Sequence, residues 1–119
     1  MIKRVIILVV LISLYNCEEL IEVEDISNEV VTILAPSDNS TIDTNTINFS
    51  WQALEFAETY QLQIARSGFE TPEEIVEDTL VSVTSYTKVL LEGNYQWRIK
   101  AINFGYETPY TTQNLTIED

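Results

Sequence analysis

The chain has no histidine, one cysteine, three prolines and three glycines in 119 residues. Without histidine it lacks the commonest general base and the commonest zinc ligand. The lone cysteine, Cys17, cannot form an internal disulfide, so an exported domain of this chain must be held by its core. Bases are scarce as well, with six against 19 acids and a formal net charge of −13. Lys3 and Arg4 are two of the six, so beyond residue 16 four bases face all 19 acids, a net charge of −15. That surplus excludes the basic stripe that DNA or RNA binding requires. It equally opposes docking on an anionic leaflet through surface charge. No Asp-x-Asp-x-Asp-Gly loop of the calcium type is present. No metal or cofactor is expected, and the acidity is read as serving solubility.

What the chain does have begins at its start. Met1-Ile2-Lys3-Arg4 leads into an apolar run from Val5 to Leu14, followed by Tyr15-Asn16-Cys17-Glu18-Glu19. The run is about ten residues, the length of a signal-peptide h-region, and half of the ~20 that a spanning helix needs. The segment resembles a bacterial lipoprotein signal peptide, with Leu14 as the apolar residue of the lipobox and Cys17 as the lipidated residue. Tyr15 and Asn16 depart from the small residues usual there. The alternative is an ordinary secretory signal with a free cysteine, but no Ala-x-Ala-like site lies nearby. The resemblance implies cleavage after residue 16 and a membrane anchor through acyl chains on Cys17. Cys17-Glu18-Glu19 also resembles an acidic export signal that sends lipoproteins to the outer face of the bacterial outer membrane; the other reading is a generic acidic linker.

Residues 17–29 are expected to be a tether. Glu18 to Glu29 holds six acids and no base, and Ile21, Val23 and Ile26 interrupt them without periodicity, the signature of a self-repelling linker. A short helix around Glu18 to Asp25 is the other option.

From residue 30 to 119 the pattern is all-β. Ile47, Phe49 and Trp51 alternate with polar residues, as do Tyr60, Leu62 and Ile64, and Tyr95, Trp97, Ile99 and Ala101. Each set predicts a strand with one buried and one wet face, Ala65 falling on the wet side. Val30 to Leu34 reads as a strand closed by the turn cluster Ala35 to Ser40. Gly68 to Asp78 reads as a loop or a single helical turn, since Thr71-Pro72-Glu73-Glu74 resembles a helix N-cap. Thr79 to Leu90 is β-rich, with its inward face open between Tyr86, Lys88 and Leu90 or Thr87, Val89 and Leu91. Asn103-Phe104-Gly105-Tyr106 reads as a hairpin loop with Gly105 at positive φ, and Thr108 to Ile117 as the last strand.

The runs Ile47-Asn48-Phe49-Ser50-Trp51, Ala57 to Ile64 and Gly93-Asn94-Tyr95-Gln96-Trp97-Arg98-Ile99-Lys100-Ala101 together resemble a fibronectin type III domain. The resemblance implies a single Greek-key β-sandwich of about seven strands. It makes Phe49, Trp51, Tyr60, Leu62, Tyr95, Trp97 and Ile99 structural core, with Tyr95 as a tyrosine-corner residue bonded near Leu90 or Leu91. The Tyr-x-Trp-Arg variant is similar to domains of surface lipoproteins from polysaccharide-scavenging bacteria.

Two functional expectations follow. The first is a non-enzymatic, lipid-anchored interaction or scaffolding module on the outer membrane, exposed at the cell surface, with a protein or glycan partner. The second is a small carbohydrate-binding lipoprotein of a polysaccharide-uptake system, with Phe104, Tyr106 and Tyr110 as the aromatic patch. Hydrolysis by the carboxylates Glu73, Glu74, Glu77 and Asp78 would need a pair held about 5–9.5 Å apart across a cleft, and they fall in a polar stretch, so no enzyme is expected.

Overall fold

The computed structural model describes residues 22–118; the signal segment, Cys17, Glu18 and Glu19 lie outside the described residues. Eight strands follow: β1 Ile33–Ala35, β2 Ser40–Ile42, β3 Thr46–Trp51, β4 Thr59–Arg66, β5 Glu74–Val81, β6 Ser85–Val89, β7 Gly93–Ile102 and β8 Thr111–Ile117. They form a three-stranded sheet in the order β1-β3-β6 and a five-stranded sheet in the order β2-β8-β7-β4-β5. Pairing is antiparallel except between β2 and β8.

The alternating residues of β3, β4 and β7 meet between the sheets. Tyr60 lies opposite Ala101, Leu62 opposite Ile99 and Ile64 opposite Trp97, so these side chains share one face. Phe49 and Trp51 cover them from the other sheet. The Phe49 and Trp97 rings meet edge to face with centroids 4.7 Å apart, and Trp51 and Tyr60 with centroids 5.7 Å apart. All of these side chains are buried. Each large aliphatic or Phe residue so placed contributes about 1.5–3 kcal/mol, enough to close a core without a disulfide.

Several expectations are corrected. Ala65 is fully buried although it keeps its place on the outer side, opposite Gln96 in an unbroken pairing with β7; the register shift beside it lies in β5, where Val76 is the extra residue. Of the stretch Gly68 to Asp78 expected to be a loop or helical turn, residues 68–73 are loop, whereas residues 74–78 are the start of β5, with Glu74 paired to Arg66. An edge strand can carry that many charges because one side is solvated. β5 and β6 are separate strands joined at residues 82–84, and Tyr86, Lys88 and Leu90 are the inward set. Lys88 is tolerated there because its Nζ lies 3.6 Å from the Glu77 carboxylate on β5. The turn cluster conceals β2, an eighth strand. The first strand is Ile33–Ala35 rather than residues 30–34, and the last starts at Thr111, with only an isolated bridge between Ile102 and Glu107 before it.

The expectation of a tether over residues 17–29 is corrected from Glu22 onward, the part that lies within the described residues. Ile26 is 2% exposed and belongs to the core, as does Val31. The chain from Glu22 onward is therefore laid against the sandwich as a strap, held by its one deep apolar side chain.

Candidate interaction surfaces

The strand directions sort the loops into two poles. β3 ends and β4 begins where β7 ends and β8 begins, so residues 52–58 and 103–110 share one pole, joined by 82–84 and by the strap. Residues 43–45, 67–73 and 90–92 occupy the opposite pole.

Asn103 builds the first pole. Its Nδ2 donates to the Glu24 carbonyl at 2.8 Å and to the Phe56 carbonyl at 3.3 Å. Its Oδ1 accepts the N–H groups of Gly105 at 3.1 Å and Tyr106 at 2.9 Å. One amide thus ties strap, β3–β4 loop and β7–β8 loop together, using all four of its hydrogen-bonding positions. This Asx geometry shapes the 103–106 turn with Gly105 outside the positive-φ set, which corrects the expectation for that glycine. Asp25 caps the strap by accepting the Ser27 N–H at 2.9 Å and hydroxyl at 2.5 Å. Those two donors hold its carboxyl below the usual carboxylate value.

The residues so fixed are apolar and outward. Phe104 is 86% exposed, Phe56 55% and Val23 36%. They line an open groove of about 460 Å³ whose walls also carry Glu22, Glu24 and Glu58. Phe56 has φ 68°, a region that bulky residues enter only when their surroundings impose it. Nothing in the sequence pattern marks Phe56 or Val23 as surface residues of one site.

Of the expected aromatic patch, Phe104 and Tyr106 belong to this pole, whereas Tyr110 sits in a different setting. The Arg98 guanidinium lies 4.2 Å and the Lys100 ammonium 4.7 Å from the Tyr110 ring centroid, so cations already occupy its face. Arg98 is also 4.0 Å from the Phe69 centroid, and its Nε donates to Gln63 Oε1 at 2.7 Å. Among the described residues Arg66, Lys88 and Lys100 pair with acids, and Arg98 does not.

Beside this stack the outer face of β7 and β8 is a neutral ladder. Gln96 donates to Asn114 at 3.2 Å, Thr116 to Asn94 at 3.1 Å, and the Phe69 N–H to Gln96 at 2.9 Å. These side chains line a cleft of about 390 Å³ closed by the 67–71 loop, which Ser67 and Gly68 turn by adopting φ 73° and 117°.

The Tyr95 hydroxyl donates to the Leu91 carbonyl at 2.6 Å and accepts from Arg66 Nη1 at 3.1 Å. Arg66 Nη2 also bonds the Glu92 carbonyl at 2.8 Å. The carboxylates named as candidate hydrolases do not converge. Glu73 faces Arg66, Asp78 accepts from Gln61 on the outer face, and Glu77 points inward to Tyr86 and Lys88. Pleat alternation puts Glu77 and Asp78 on opposite faces.

The architecture is a fibronectin type III-like β-sandwich. The chain superposes on the fibronectin(III)-like modules of Clostridium thermocellum CbhA with TM-score 0.55 and 13% sequence identity, over 75% of this chain and 96% of that one. It matches the fn3 domain of the human collagen alpha-1(XX) chain with TM-score 0.56 and 12% identity, over 76% and 83%. The fibronectin type III domain derived from human KIAA0970 protein gives TM-score 0.53 and 14% identity, over 73% and 72%. No protein-family model and no curated protein matches the sequence.

Proposed function

We propose that this chain is a lipid-anchored bacterial surface protein whose sandwich is a non-enzymatic interaction or scaffolding module. The observation that carries the reading is the Lys3-Arg4, Val5 to Leu14, Cys17 sequence ahead of a closed fibronectin type III-like body. Acylation on two or more chains at Cys17 would hold it stably, since each buried methylene adds about 0.8 kcal/mol and a single chain binds only marginally. Glu18 and Glu19 would direct it to the outer face of the outer membrane. Radiolabelled palmitate tests the anchor: label enters the wild-type chain and is lost in Cys17→Ala. Unlabelled wild-type protein released into the medium would refute it.

A second reading, a small glycan-binding lipoprotein, has a specific observation behind it. The Asn94, Gln96, Asn114 and Thr116 ladder offers neutral amide and hydroxyl groups beside Phe69, which Arg98, a cation with no acidic partner among the described residues, stacks on one side. That is the chemistry by which polyhydroxylated rings are held: hydrogen bonds fix orientation and an apolar face supplies contact. A glycan array on the intact protein, followed by Gln96→Ala, tests it. Absence of binding across plant, algal and host glycans would end this reading.

A further inference from the structure

We propose that the pole carrying Val23, Phe56 and Phe104 is the surface on which the domain rests against a zwitterionic bilayer. The inference builds on acylation at Cys17 and not on the export reading of Glu18 and Glu19. Among the described residues, six of the eleven exposed large hydrophobic side chains, Val23, Val30, Phe56, Val83, Phe104 and Tyr106, lie on the strap and loops of this pole. The strap fixes which pole meets the membrane. Glu22 lines the groove itself, and five peptide units separate it from Cys17. Fully extended, they reach at most about 18 Å. With Ile26 locked in the core, the chain cannot swing the opposite pole toward the lipid.

The groove chemistry selects the kind of surface. Two phenyl rings stand outward on backbones fixed by Asn103, so little side-chain and loop entropy is lost when they enter a headgroup boundary. Glu22, Glu24 and Glu58 rim them. Those carboxylates repel phosphatidylglycerol-type headgroups but are compatible with choline or ethanolamine ammonium groups.

The test uses the acylated full chain in phosphatidylcholine–phosphatidylethanolamine vesicles containing a shallow doxyl-labelled lipid. Phe104→Trp places a fluorophore at the pole, and Leu91→Trp places one at the far end, where the ten-residue β7 sets a separation of about 30 Å. Emission from buried Trp51 and Trp97, measured on the wild type, is subtracted. Docking at about 5–10 Å depth predicts quenching and a blue shift for Phe104→Trp and neither for Leu91→Trp. Phe56→Trp, provided that the variant keeps the wild-type fold, repeats the readout from the second ring. If the protein floats with the vesicles and incorporates palmitate while Phe104→Trp stays unquenched, the resting surface is refuted and the anchor stands. If palmitate is not incorporated and the chain does not float, both fall. A blue shift that appears in detergent without lipid and grows with protein concentration identifies a second copy as the occupant and overturns the proposal.

Discussion

The side-chain amide of Asn103 donates to the backbone carbonyl of Glu24, 79 positions earlier in the chain, at 2.8 Å. This bond and the one to Phe56 use the donor half of the amide, while the acceptor half shapes the 103–106 turn. The two functions can be separated by Asn103→Asp, which keeps acceptors and loses donors. The substitution is expected to destabilise by about 2–3 kcal/mol, because it leaves two carbonyls unpaired and sets a carboxylate against one of them. Hydrogen exchange should rise at Glu29, whose N–H bonds the Ile26 carbonyl, and stay slow at Tyr106.

At the opposite pole the Tyr95 hydroxyl and Arg66 clamp the β6–β7 turn through the carbonyls of Leu91 and Glu92. Tyr95→Phe removes one hydroxyl from a ring that otherwise stays packed, so a loss of about 1–2 kcal/mol in urea denaturation is expected. Gly93→Ala at φ 155° should act on the same clamp. Its Cβ would approach Arg66 Nη2 to 2.8 Å, displacing the guanidinium from the carbonyl. The double variant should be less damaging than the sum of the singles, since both break the same contacts.

Strands with one dry face are legible from sequence, and those without are not. β3, β4 and β7 announce themselves because Phe49, Trp51, Leu62, Ile64, Trp97 and Ile99 all fall on one side of a period of two. β5 escapes because it is an edge strand entered through the helix-cap composition of Thr71-Pro72-Glu73-Glu74, and its side chains are exposed or half-buried throughout. The inward position of Lys88 has no sequence signal of its own, because its partner Glu77 lies in a polar stretch with loop composition. Ile26 gives no periodic signal, as a single apolar residue among acids. The loop pole was half visible: Phe104 and Tyr106 stand beside a glycine, but Phe56 and Val23 join them only through the tertiary bonds of Asn103.

Ile26 decides whether the strap is part of the domain. Its side chain is buried with Val31 in the same cluster as Trp51 and Tyr60. Ile26→Ala should cost about 2–5 kcal/mol, the range for a truncated core aliphatic, and should release the strap to proteolysis. A change at Val30, which is 61% exposed, should fall within about 0.5 kcal/mol. Equal, small effects at both positions would return the strap to the status of a free tether.

Where the two sheets meet at their open edge, the Tyr86 hydroxyl donates to the Glu77 carboxylate, which also faces Lys88 at 3.6 Å. The hydrogen bond to Glu77, then partial burial and the negative charge, hold the phenol above its ordinary value of 10.0. Above about pH 10 the unfolded chain therefore releases this proton while the folded chain keeps it. The unfolded state then binds fewer protons, so stability falls with rising pH. The contribution is fully present below pH 10 and is lost as pH climbs toward the raised folded value. Tyr86→Phe should flatten that alkaline decline in urea midpoints measured from pH 9 to 11, with the other five tyrosines cancelling in the comparison. An alkaline slope unchanged by the substitution would mean that the pair does not form in solution and that Lys88 alone closes the edge.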